Sequence, residues 1–444
     1  MNFIFLSGGS GKRLWPLSNE VRSKQFLKIF KKEDGTHESM VQRMYRMIRK
    51  VDDTASIVIA TSDSQVASIN AQLDGKVDVS IEPCRKDTFP AIALATAYLH
   101  DIKDIDIEET VVVCPVDPYV EEPFFQMIKK LYTQAEKGEA NLTLIGIQPT
   151  YPSEKYGYIL PASSEFISRV ESFKEKPNEL LAQKYISEGA LWNAGVFAFK
   201  IKYVLKIAND ILGTSSYKGI IKKYKDLTKI SFDYAVVEKE TNIQVMRFAG
   251  AWKDLGTWNT FTEAMSEEVS GNAVVSDCDN THVVNELQIP LVALGVKNVV
   301  IAATPDGILV INKDSSDRLK DYVIARRPMY EKRCWGEYQV LDYRVNENGQ
   351  NYLTKHLIIV SGQHISYQIH KHRTEIWTFV EGKGKLIING EIKPVVRGDT
   401  AYIEPGTKHA IKADTELHII EVQVGDELTE EDIERLDWDW KKIT

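Results

Sequence analysis

The sequence predicts an α/β fold: a mixed, mostly parallel, doubly wound sheet, then a small β-rich connector, then a C-terminal antiparallel β-barrel. Up to about residue 265, short apolar runs alternate with longer helical stretches, which favours parallel strands joined by helices. Beyond that point, closely spaced β-branched runs are separated by Asn, Asp and Gly, which is typical of an all-β region. We therefore predict three domains, at 1–265, 266–330 and 331–444.

The predicted strands of the first domain are short apolar runs, each followed by a turn or a helix. They read NFIFL, SIVIAT, TVVVCPVD and NLTLIGI. Gly8 and Asp117 each fall just after one of these runs. In a doubly wound sheet, ligands bind at the carboxyl ends of the strands. We therefore expect Gly8 and Asp117 to be neighbours in space.

The two later regions differ in their strand pattern. The connector contains NAVVSD, THVVNE and LVALGVKNVVIAATPDGILVINKD, which predict short strands. The last region contains YLTKHLIIV, EIWTFVEGKGKLIING and LHIIEVQVG, with Gly or Asn-Gly turns between them. This spacing predicts a barrel or jelly roll.

Composition excludes several classes of protein. The 444 residues carry a net charge of −8, which argues against general nucleic-acid binding. The four cysteines show no CxxC spacing, so neither a disulfide framework nor a structural zinc site is expected. The apolar run before Gly8 is too short for a signal peptide, and no segment is long enough for a membrane span. We expect a soluble, cytoplasmic protein.

The stretch FLSGGSGKRLWPLSNEVRSKQF, from Phe5 to Phe26, predicts an anion-binding loop. Glycines follow a strand, and Arg13 and Lys24 come after them. A phosphate loop of Walker A type needs Ser or Thr where Arg13 stands. The dinucleotide fingerprint needs a third glycine where Leu14 stands. An isolated tight turn is the simplest alternative.

The whole stretch resembles the signature GGSGxRLWPLS…KQF of sugar-nucleotide pyrophosphorylases, specifically the mannose-1-phosphate guanylyltransferase branch. Lys12 stands where that family usually has Thr, and Ser23 replaces its usual Pro. The resemblance implies that backbone N–H groups of the loop approach the nucleotide and that the cations bind its triphosphate. The residues so assigned are Gly8, Gly9, Gly11, Arg13 and Lys24.

Further segments resemble the same family in the same order. They are EPCRKDTFPAIALA, CPVDPYV, YGYI, FKEKP, LWNAGVF, FDYAVVEK and WKDLGTW. The resemblance places Glu82 and Arg85 on the base and ribose side of the nucleotide. It assigns the sugar-phosphate pocket to Tyr156, Gly157, Glu175, Lys176 and Asn193. The pair Pro118-Tyr119 departs from the family pattern beside Asp117, so another sugar 1-phosphate is an alternative substrate.

The implied reaction is attack of a mannose 1-phosphate oxygen on the α-phosphorus of GTP, with release of pyrophosphate. Both reactants are anions, so the enzyme must neutralise charge and align the attack. Asp117 and Asp254 are suited to hold Mg²⁺, which prefers oxygen ligands shared with phosphates. Arg13 and Lys24 are expected to stabilise the leaving pyrophosphate.

A second group of residues in the C-terminal region predicts a metal site. The segment QIHKHRTEIW carries His370, His372 and Glu375, and His409 follows a Pro-Gly turn. On a strand, residues two apart share a face, so both imidazoles of the pair can point into a barrel. Three imidazoles and a carboxylate suit Zn²⁺ or a similar transition metal. The pattern resembles that of cupins; the alternative is a metal-free barrel whose polar lining binds sugar.

The segment from Glu331 onward resembles the type II phosphomannose isomerase domain through QIHKHRTEIW and CWGEY. Together the resemblances imply a bifunctional mannose-1-phosphate guanylyltransferase/mannose-6-phosphate isomerase, with Arg373 as partner of the mannose 6-phosphate. No isomerase base is assigned. A homodimer is a family expectation. The alternatives are a non-catalytic sugar-binding or dimerisation cupin and, from another class, an NAD-dependent oxidoreductase.

Overall fold

The computed structural model describes residues 1–9, 12–19, 22–323, 327–346, 350–437 and 440–443. The chain divides into two compact units. The first comprises 1–14, 23–268 and 313–320, and the second comprises 15–22, 269–312 and 321–444. The strands of the predicted connector thus group with those of the barrel. The three-domain division stays a prediction.

The first unit alternates strands and helices. Its strands are β1 (Asn2–Leu6), β2 (Phe30–Lys31), β3 (His37–Glu38), β4 (Ser56–Ser62), β5 (Asp78–Glu82), β6 (Thr110–Pro115), β7 (Pro118–Val120), β8 (Leu142–Ile147), β9 (Tyr158–Pro161), β10 (Ile167–Lys174), β11 (Leu191–Lys200), β12 (Ile243–Phe248) and β13 (Trp252–Asp254). Its α-helices are α1 (Met40–Val51), α2 (Asp63–Leu73), α3 (Thr88–Asp101), α4 (Glu122–Glu136), α5 (Glu179–Ser187), α6 (Ile201–Leu212), α7 (Tyr217–Lys223) and α8 (Trp258–Thr262).

Nine of these strands form one mixed sheet, in the order β5-β4-β1-β6-β11-β8-β12-β10-β9. The run from β5 to β6 is parallel, and so is the pair β8–β12. The other four neighbouring pairs are antiparallel, because β11 and β10 each run opposite to both of their neighbours in this order. The predicted α/β class and mixed sheet are confirmed. Strand β11 also pairs antiparallel with β9, so four of the nine pairings are parallel and the sheet is less parallel than expected.

Hydrophobic burial on both faces holds this sheet between helices. In β1, Phe3 and Phe5 pack into one core, whereas Ile4 packs into the other. This division is expected for a buried strand, because its successive side chains point to opposite faces. Helix α1 begins at a capping box in which Ser39 and Gln42 satisfy each other's free backbone N–H groups.

The second unit is built of strands. They are β14 (Val269–Gly271), β15 (Ala273–Ser276), β16 (His282–Asn285), β17 (Leu291–Leu294), β18 (Val299–Thr304), β19 (Gly307–Asn312), β20 (Tyr330–Arg333), β21 (Gly336–Arg344), β22 (Asn351–Ile359), β23 (Tyr367–Ile369), β24 (Arg373–Glu381), β25 (Lys383–Ile388), β26 (Glu391–Val396), β27 (Thr400–Ile403), β28 (His409–Ala413), β29 (Leu417–Gly425) and β30 (Glu434–Asp437). A short helix, α9 (Trp440–Ile443), follows.

The strands of the connector form a parallel coil. Strands β14, β16 and β18 pair in parallel, as do β15 and β17, so the chain returns to the same side about every 14 to 18 residues. The coil ends in an antiparallel hairpin, because β19 pairs back onto β18 with Gly307 opposite Thr304.

The barrel consists of two antiparallel sheets, with orders β20-β21-β22-β29-β24-β27 and β26-β25-β28-β23-β30. Strand β29 alternates buried and half-buried residues along most of its length. Its inward residues Leu417 and Ile419 belong to one core with Leu353 and Leu357 of β22. The predicted cupin barrel is confirmed. None of the helices in the described ranges has the length and apolar character needed to cross a membrane.

Candidate active site and candidate metal centre

The glycine loop and Asp117 lie at one edge of the large sheet. Strands β1 and β6 are parallel neighbours with Leu6 opposite Pro115, so the residues just beyond both strands share that edge. The expectation that Gly8 and Asp117 are neighbours is therefore confirmed. A Cβ atom added at Gly8 or Gly9 meets nothing within 4 Å, so the loop backbone faces open space. Gly11 lies outside the described residues.

Strands β7 and β13 bring the two predicted acids together. Asp254 pairs with Pro118, the residue after Asp117. The Nζ atom of Lys24 lies 2.9 Å from Asp117 Oδ2 and 3.5 Å from Asp254 Oδ1. Burial opposes the charge of Lys24, but the two carboxylates outweigh it and raise the pKa of its ammonium. Three residues far apart in sequence thus form one charged group.

The same acids line a cleft with the predicted sugar-phosphate residues. Its volume is about 210 Å³. Its walls include Asp117, Asp254, Tyr156, Gly157, Glu175, Asn193, Asp233 and Trp252. A row of acids and amides beside an aromatic wall can hold a polyhydroxylated ligand.

Glu175 lies close to both Gly157, which lines this cleft, and Lys176, which is next to it in the chain. A Cβ atom at Gly157 would lie 2.5 Å from Glu175 Oε2 and 2.7 Å from the Phe173 ring, so only glycine lets the carboxylate approach. Lys176 donates to Glu175 Oε1 at 2.6 Å from a left-handed backbone conformation, with φ of 45°. Burial opposes its charge, but Glu175 raises the pKa of its ammonium.

The barrel contains a buried cluster of potential metal ligands. Ligand atoms of His370, Glu375 and His409 all lie within 4.8 Å of one another. Each residue is 1% exposed or less. Neither ring nitrogen of His370 has a hydrogen-bond partner. A buried polar atom left unpaired is costly, so an electron-pair acceptor between these side chains fits the site.

Comparison with known proteins gives a family match for each of the two regions that carry these sites. A family model described as nucleotidyl transferase matches residues 2–270, and one described as mannose-6-phosphate isomerase C-terminal matches 323–438. The chain belongs to the nucleotidyl transferase family. Within it, the chain falls in the branch that joins a guanylyltransferase-type domain to an isomerase-like cupin domain.

Relatives match this nucleotidyl transferase over nearly its full length. A mannose-1-phosphate guanylyltransferase of Salmonella montevideo is 32% identical, over 97% of this chain and 98% of the relative. The xanthan biosynthesis protein XanB of Xanthomonas campestris pv. campestris (strain B100) is 31% identical, over 98% and 97%. A solved structure described as mannose-1-phosphate geranyltransferase from Thermus thermophilus is 28% identical. It covers 72% of this chain and 97% of its own, with a TM-score of 0.60.

The other predicted nucleotide-binding side chains differ in their exposure. Arg13 is exposed on a short 3-10 turn, and Arg85 is exposed after β5. Glu82 is buried and accepts a hydrogen bond from Tyr224 at 2.8 Å, while burial raises the pKa of its carboxyl. The roles of these three residues stay predictions.

Pro118 and Tyr119, which depart from the family pattern, lie on opposite faces of β7. Pro118 lines the cleft, as the sequence predicts for a residue beside the reacting phosphate. Tyr119 instead stacks on Phe30, with ring centroids 5.6 Å apart, because successive residues of a strand point to opposite faces. The substitution therefore affects the cleft through Pro118.

The structure contradicts the expected position of His372. Strand β23 ends at Ile369 and β24 begins at Arg373, so the His-x-His pair lies in the bend between them. The alternation rule for strands does not apply there. The His372 side chain is 49% exposed and its Nδ1 lies 3.8 Å from Asp426, outside the cluster around His370.

Arg373 lies buried inside the barrel wall. The residue is 2% exposed. Its Nε donates to Glu375 Oε1 at 2.8 Å, and Nη1 donates to Thr429 O and to Asp432 Oδ2. The guanidinium is thus committed to two carboxylates and a carbonyl inside the barrel wall. Arg373 therefore positions Glu375, and its role as a phosphate partner stays a prediction.

Sequence reasoning missed two acids. Asp233 receives a hydrogen bond from Asn193 Nδ2 at 2.7 Å, and burial together with nearby Glu175 raises its pKa to about 7. Glu421 accepts from the Trp377 indole at 3.2 Å, and burial together with nearby Glu375 raises its pKa to about 8. The signal for Glu421 was present, since it interrupts the apolar inward positions of β29.

The pKa of Glu375 is shifted in the opposite direction, below its usual range. Burial opposes its ionisation, but His370, His409 and Arg373 outweigh burial and hold its pKa well below the usual range. Glu375 is therefore an anion inside the barrel, beside neutral Glu421. A negative ligand next to two imidazoles is the donor set that a divalent transition metal accepts.

Proposed function

We propose that the first unit transfers a GMP group from GTP to mannose 1-phosphate, forming GDP-mannose and pyrophosphate. The observation that carries this proposal is the position of Lys24 between Asp117 and Asp254, two acids that line the same cleft as Glu175 and Asn193. The names of the relatives support the choice of mannose.

Each group has a place in an in-line displacement. The sugar-phosphate oxygen attacks the α-phosphorus, and the bond from that phosphorus to the bridging oxygen of pyrophosphate breaks. Lys24, with Arg13, stabilises the negative charge that develops on the leaving group. Lys176 pairs with the sugar phosphate, while Glu175 and Asn193 hold sugar hydroxyls. Binding energy at the sugar aligns the nucleophile.

The two aspartates fit Mg²⁺. Their side chains are 41% and 31% exposed, so both can share a cation with water and phosphate oxygens. Mg²⁺ held by Asp117 and Asp254 would neutralise phosphate charge. When phosphates enter, Lys24 is free to exchange one carboxylate partner for a phosphate oxygen.

A substrate panel tests this proposal. Pyrophosphate release is measured with GTP, ATP, CTP and UTP, each against mannose 1-phosphate, glucose 1-phosphate and a heptose 1-phosphate. GTP with mannose 1-phosphate should give the highest kcat/KM. A higher value with another sugar would support the alternative substrate suggested by Pro118, and no release with any pair would reject nucleotidyl transfer.

We further propose that the barrel interconverts mannose 6-phosphate and fructose 6-phosphate. The observation that favours it is the buried cluster of His370, Glu375 and His409, in which His370 Nε2 lies 3.5 Å from Glu375 Oε1 and neither ring nitrogen of His370 has a hydrogen-bond partner. These residues would hold Zn²⁺ or a similar ion, which supplies polarisation of the substrate carbonyl. Glu375 is oriented by Arg373. A proton must leave the carbon beside the carbonyl and return to its neighbour.

Isomerase activity is tested on the full chain. Conversion of fructose 6-phosphate is followed before and after removal of metal by a chelator, and again after metal is restored. Loss and recovery are expected. If the intact protein shows no conversion with any divalent metal, the alternative of a non-catalytic sugar-binding or dimerisation cupin is supported. We keep the homodimer, the cytoplasmic location and a role in supplying polysaccharide synthesis as proposals.

A further inference from the structure

The first unit contains a second cavity beside helix α1, which we call the α1 cavity. Its volume is about 640 Å³, within the range of small-molecule sites. It shares no lining residue with the catalytic cleft. The residues that line it are Phe30, Lys31, Lys32, Glu33, Asp34, Glu38, Arg43, Arg46, Lys50, Tyr119, Ala264 and Ser266.

Cations dominate one wall of this cavity. Arg43, Arg46 and Lys50 stand at positions i, i+3 and i+7 of α1, so they share one face of the helix. Lys31 and Lys32 add two more from β2 and the turn after it. Five cations thus face three carboxylates.

The carboxylates of the cavity are mostly neutralised already. Both oxygens of Glu38 accept from Arg46, at 2.9 and 2.6 Å. Asp34 accepts from Lys32 at 3.0 Å. Lys31 pairs with Glu267, which lies outside the lining. Of the charged lining residues, one acid, Glu33, and two cations, Arg43 and Lys50, remain. An excess of positive charge is therefore left at the helix.

Arg43 is the most unusual of these groups. Its guanidinium lies 5.0 Å from the Tyr119 ring and 5.8 Å from the Phe30 ring, and Nη1 donates to the Val120 carbonyl at 2.6 Å. Among the described residues it forms no ion pair with a carboxylate. Burial lowers the pKa of its guanidinium, and nearby Tyr119, Glu38 and Glu121 do not offset that loss. A partly desolvated cation without a counterion favours binding of an anion.

We propose that the α1 cavity binds a phosphorylated small molecule, with its phosphate on Arg43 and Lys50. The planar guanidinium matches two phosphate oxygens. The stacked pair of Phe30 and Tyr119 forms an apolar wall for the rest of the ligand. A sugar phosphate and a nucleoside diphosphate share this chemistry. The inference goes beyond the proposed reactions and does not depend on which sugar the cleft accepts.

Calorimetric titration of the full-length protein tests the proposal without turnover. The probes are inorganic phosphate, the methyl glycoside of mannose 6-phosphate, whose closed ring cannot be isomerised, and GDP, which distinguish the phosphate alone from its two organic sources. Arg43→Met should weaken one binding component at least tenfold, because the variant loses the charged hydrogen bonds from the guanidinium to the phosphate. Arg49→Met, the same change on the same helix outside the cavity, should leave it unaltered.

Two further variants keep the test decisive. Lys50→Met leaves the aromatic stack in place, so it decides the question if Arg43→Met fails to fold. Lys24→Met weakens binding in the catalytic cleft and should preserve the component assigned to the α1 cavity. The proposal is overturned if every binding component is unchanged in both Arg43→Met and Lys50→Met, if the only components lost are those lost in Lys24→Met, or if no probe binds.

Discussion

Replacement of Asp233 by Asn should stabilise the protein at alkaline pH. Burial and the nearby charge of Glu175 raise the pKa of Asp233 to about 7 from 3.8. Between about pH 4 and pH 7 the folded state holds a proton that the unfolded chain has lost, so the free energy of unfolding falls as pH rises through that window. Above about pH 7 both states are ionised and the loss is complete. Lys176 and Asn193 moderate the loss without reversing it.

The size of the effect follows from this difference in pKa. A rise of about three pH units corresponds to at most about 4 kcal/mol. Because Asp233 is only half-buried, screening by water reduces this to about 2 kcal/mol. The amide introduced at position 233 keeps an oxygen that accepts from Asn193. Asp233→Asn should therefore match wild type near pH 3, below both pKa values, and exceed it by about 2 kcal/mol at pH 8.

Calorimetric unfolding at both pH values measures the difference. The expected rise of the melting midpoint at pH 8 is about 4–8 °C, taking about 2–4 °C per kcal/mol for a unit of this size. The control is Asp226→Asn, which alters an exposed aspartate of the same unit and should give no pH-dependent change. A variant that is equally stable relative to wild type at both pH values would refute a raised pKa at Asp233.

Three further predictions concern the two sites. Asp254→Asn should lower the nucleotidyl transfer rate more than tenfold with the fold intact, as a ligand of Mg²⁺ is lost; turnover and circular dichroism measure this. His370→Ala should abolish binding of divalent metal by the barrel, whereas His372→Ala should leave it near wild type, measured by metal content after dialysis. Arg373→Met should destabilise the barrel by about 3–5 kcal/mol, since Glu375 loses its buried counter-charge, as denaturant unfolding would show.

The controls separate these roles from general damage. Near-normal turnover of Asp254→Asn at saturating Mg²⁺ would reject its metal role. Equal metal content in the two histidine variants would reject the buried cluster as the site. Arg397→Met, which removes an exposed arginine of the barrel, should cost little; an equal loss in both arginine variants would reject the buried ion pair as the cause.

The position of Gly8 and Asp117 at one edge of the large sheet could be predicted from the sequence, because it depends on a general property of parallel strands. Gly8 and Asp117 each follow an apolar run, and parallel strands end at one edge of a sheet. The approach of Asp254 needed family resemblance, because the pairing of β7 with β13 joins short strands that no periodicity reveals. The directions of β11 and β10, which make half of the neighbouring pairs antiparallel, are tertiary choices that their residue patterns leave open.

In the barrel, the alternation of side chains along a strand does not apply to the His-x-His pair, because the pair does not lie on a strand. His370 and His372 are two residues apart, but the chain bends between β23 and β24, so only His370 joins the buried cluster. The sequence predicts a substrate contact at Arg373 because arginine suits phosphate. Its burial depends on Asp432, which lies about 60 residues further along the chain, and no local pattern predicts that pairing.

The exposure of the carboxylates explains why two metals of different chemistry are expected in one chain. Asp117 and Asp254 are partly exposed around a lysine, so a cation there can keep water and take phosphate oxygens, as Mg²⁺ requires. Glu375 is 1% exposed between two imidazoles. An ion in that position must give up most of its water and accept nitrogen donors, which Zn²⁺ does readily and Mg²⁺ does not. If excess Mg²⁺ bound the metal-depleted barrel as tightly as Zn²⁺ does, this distinction between the two sites would fail.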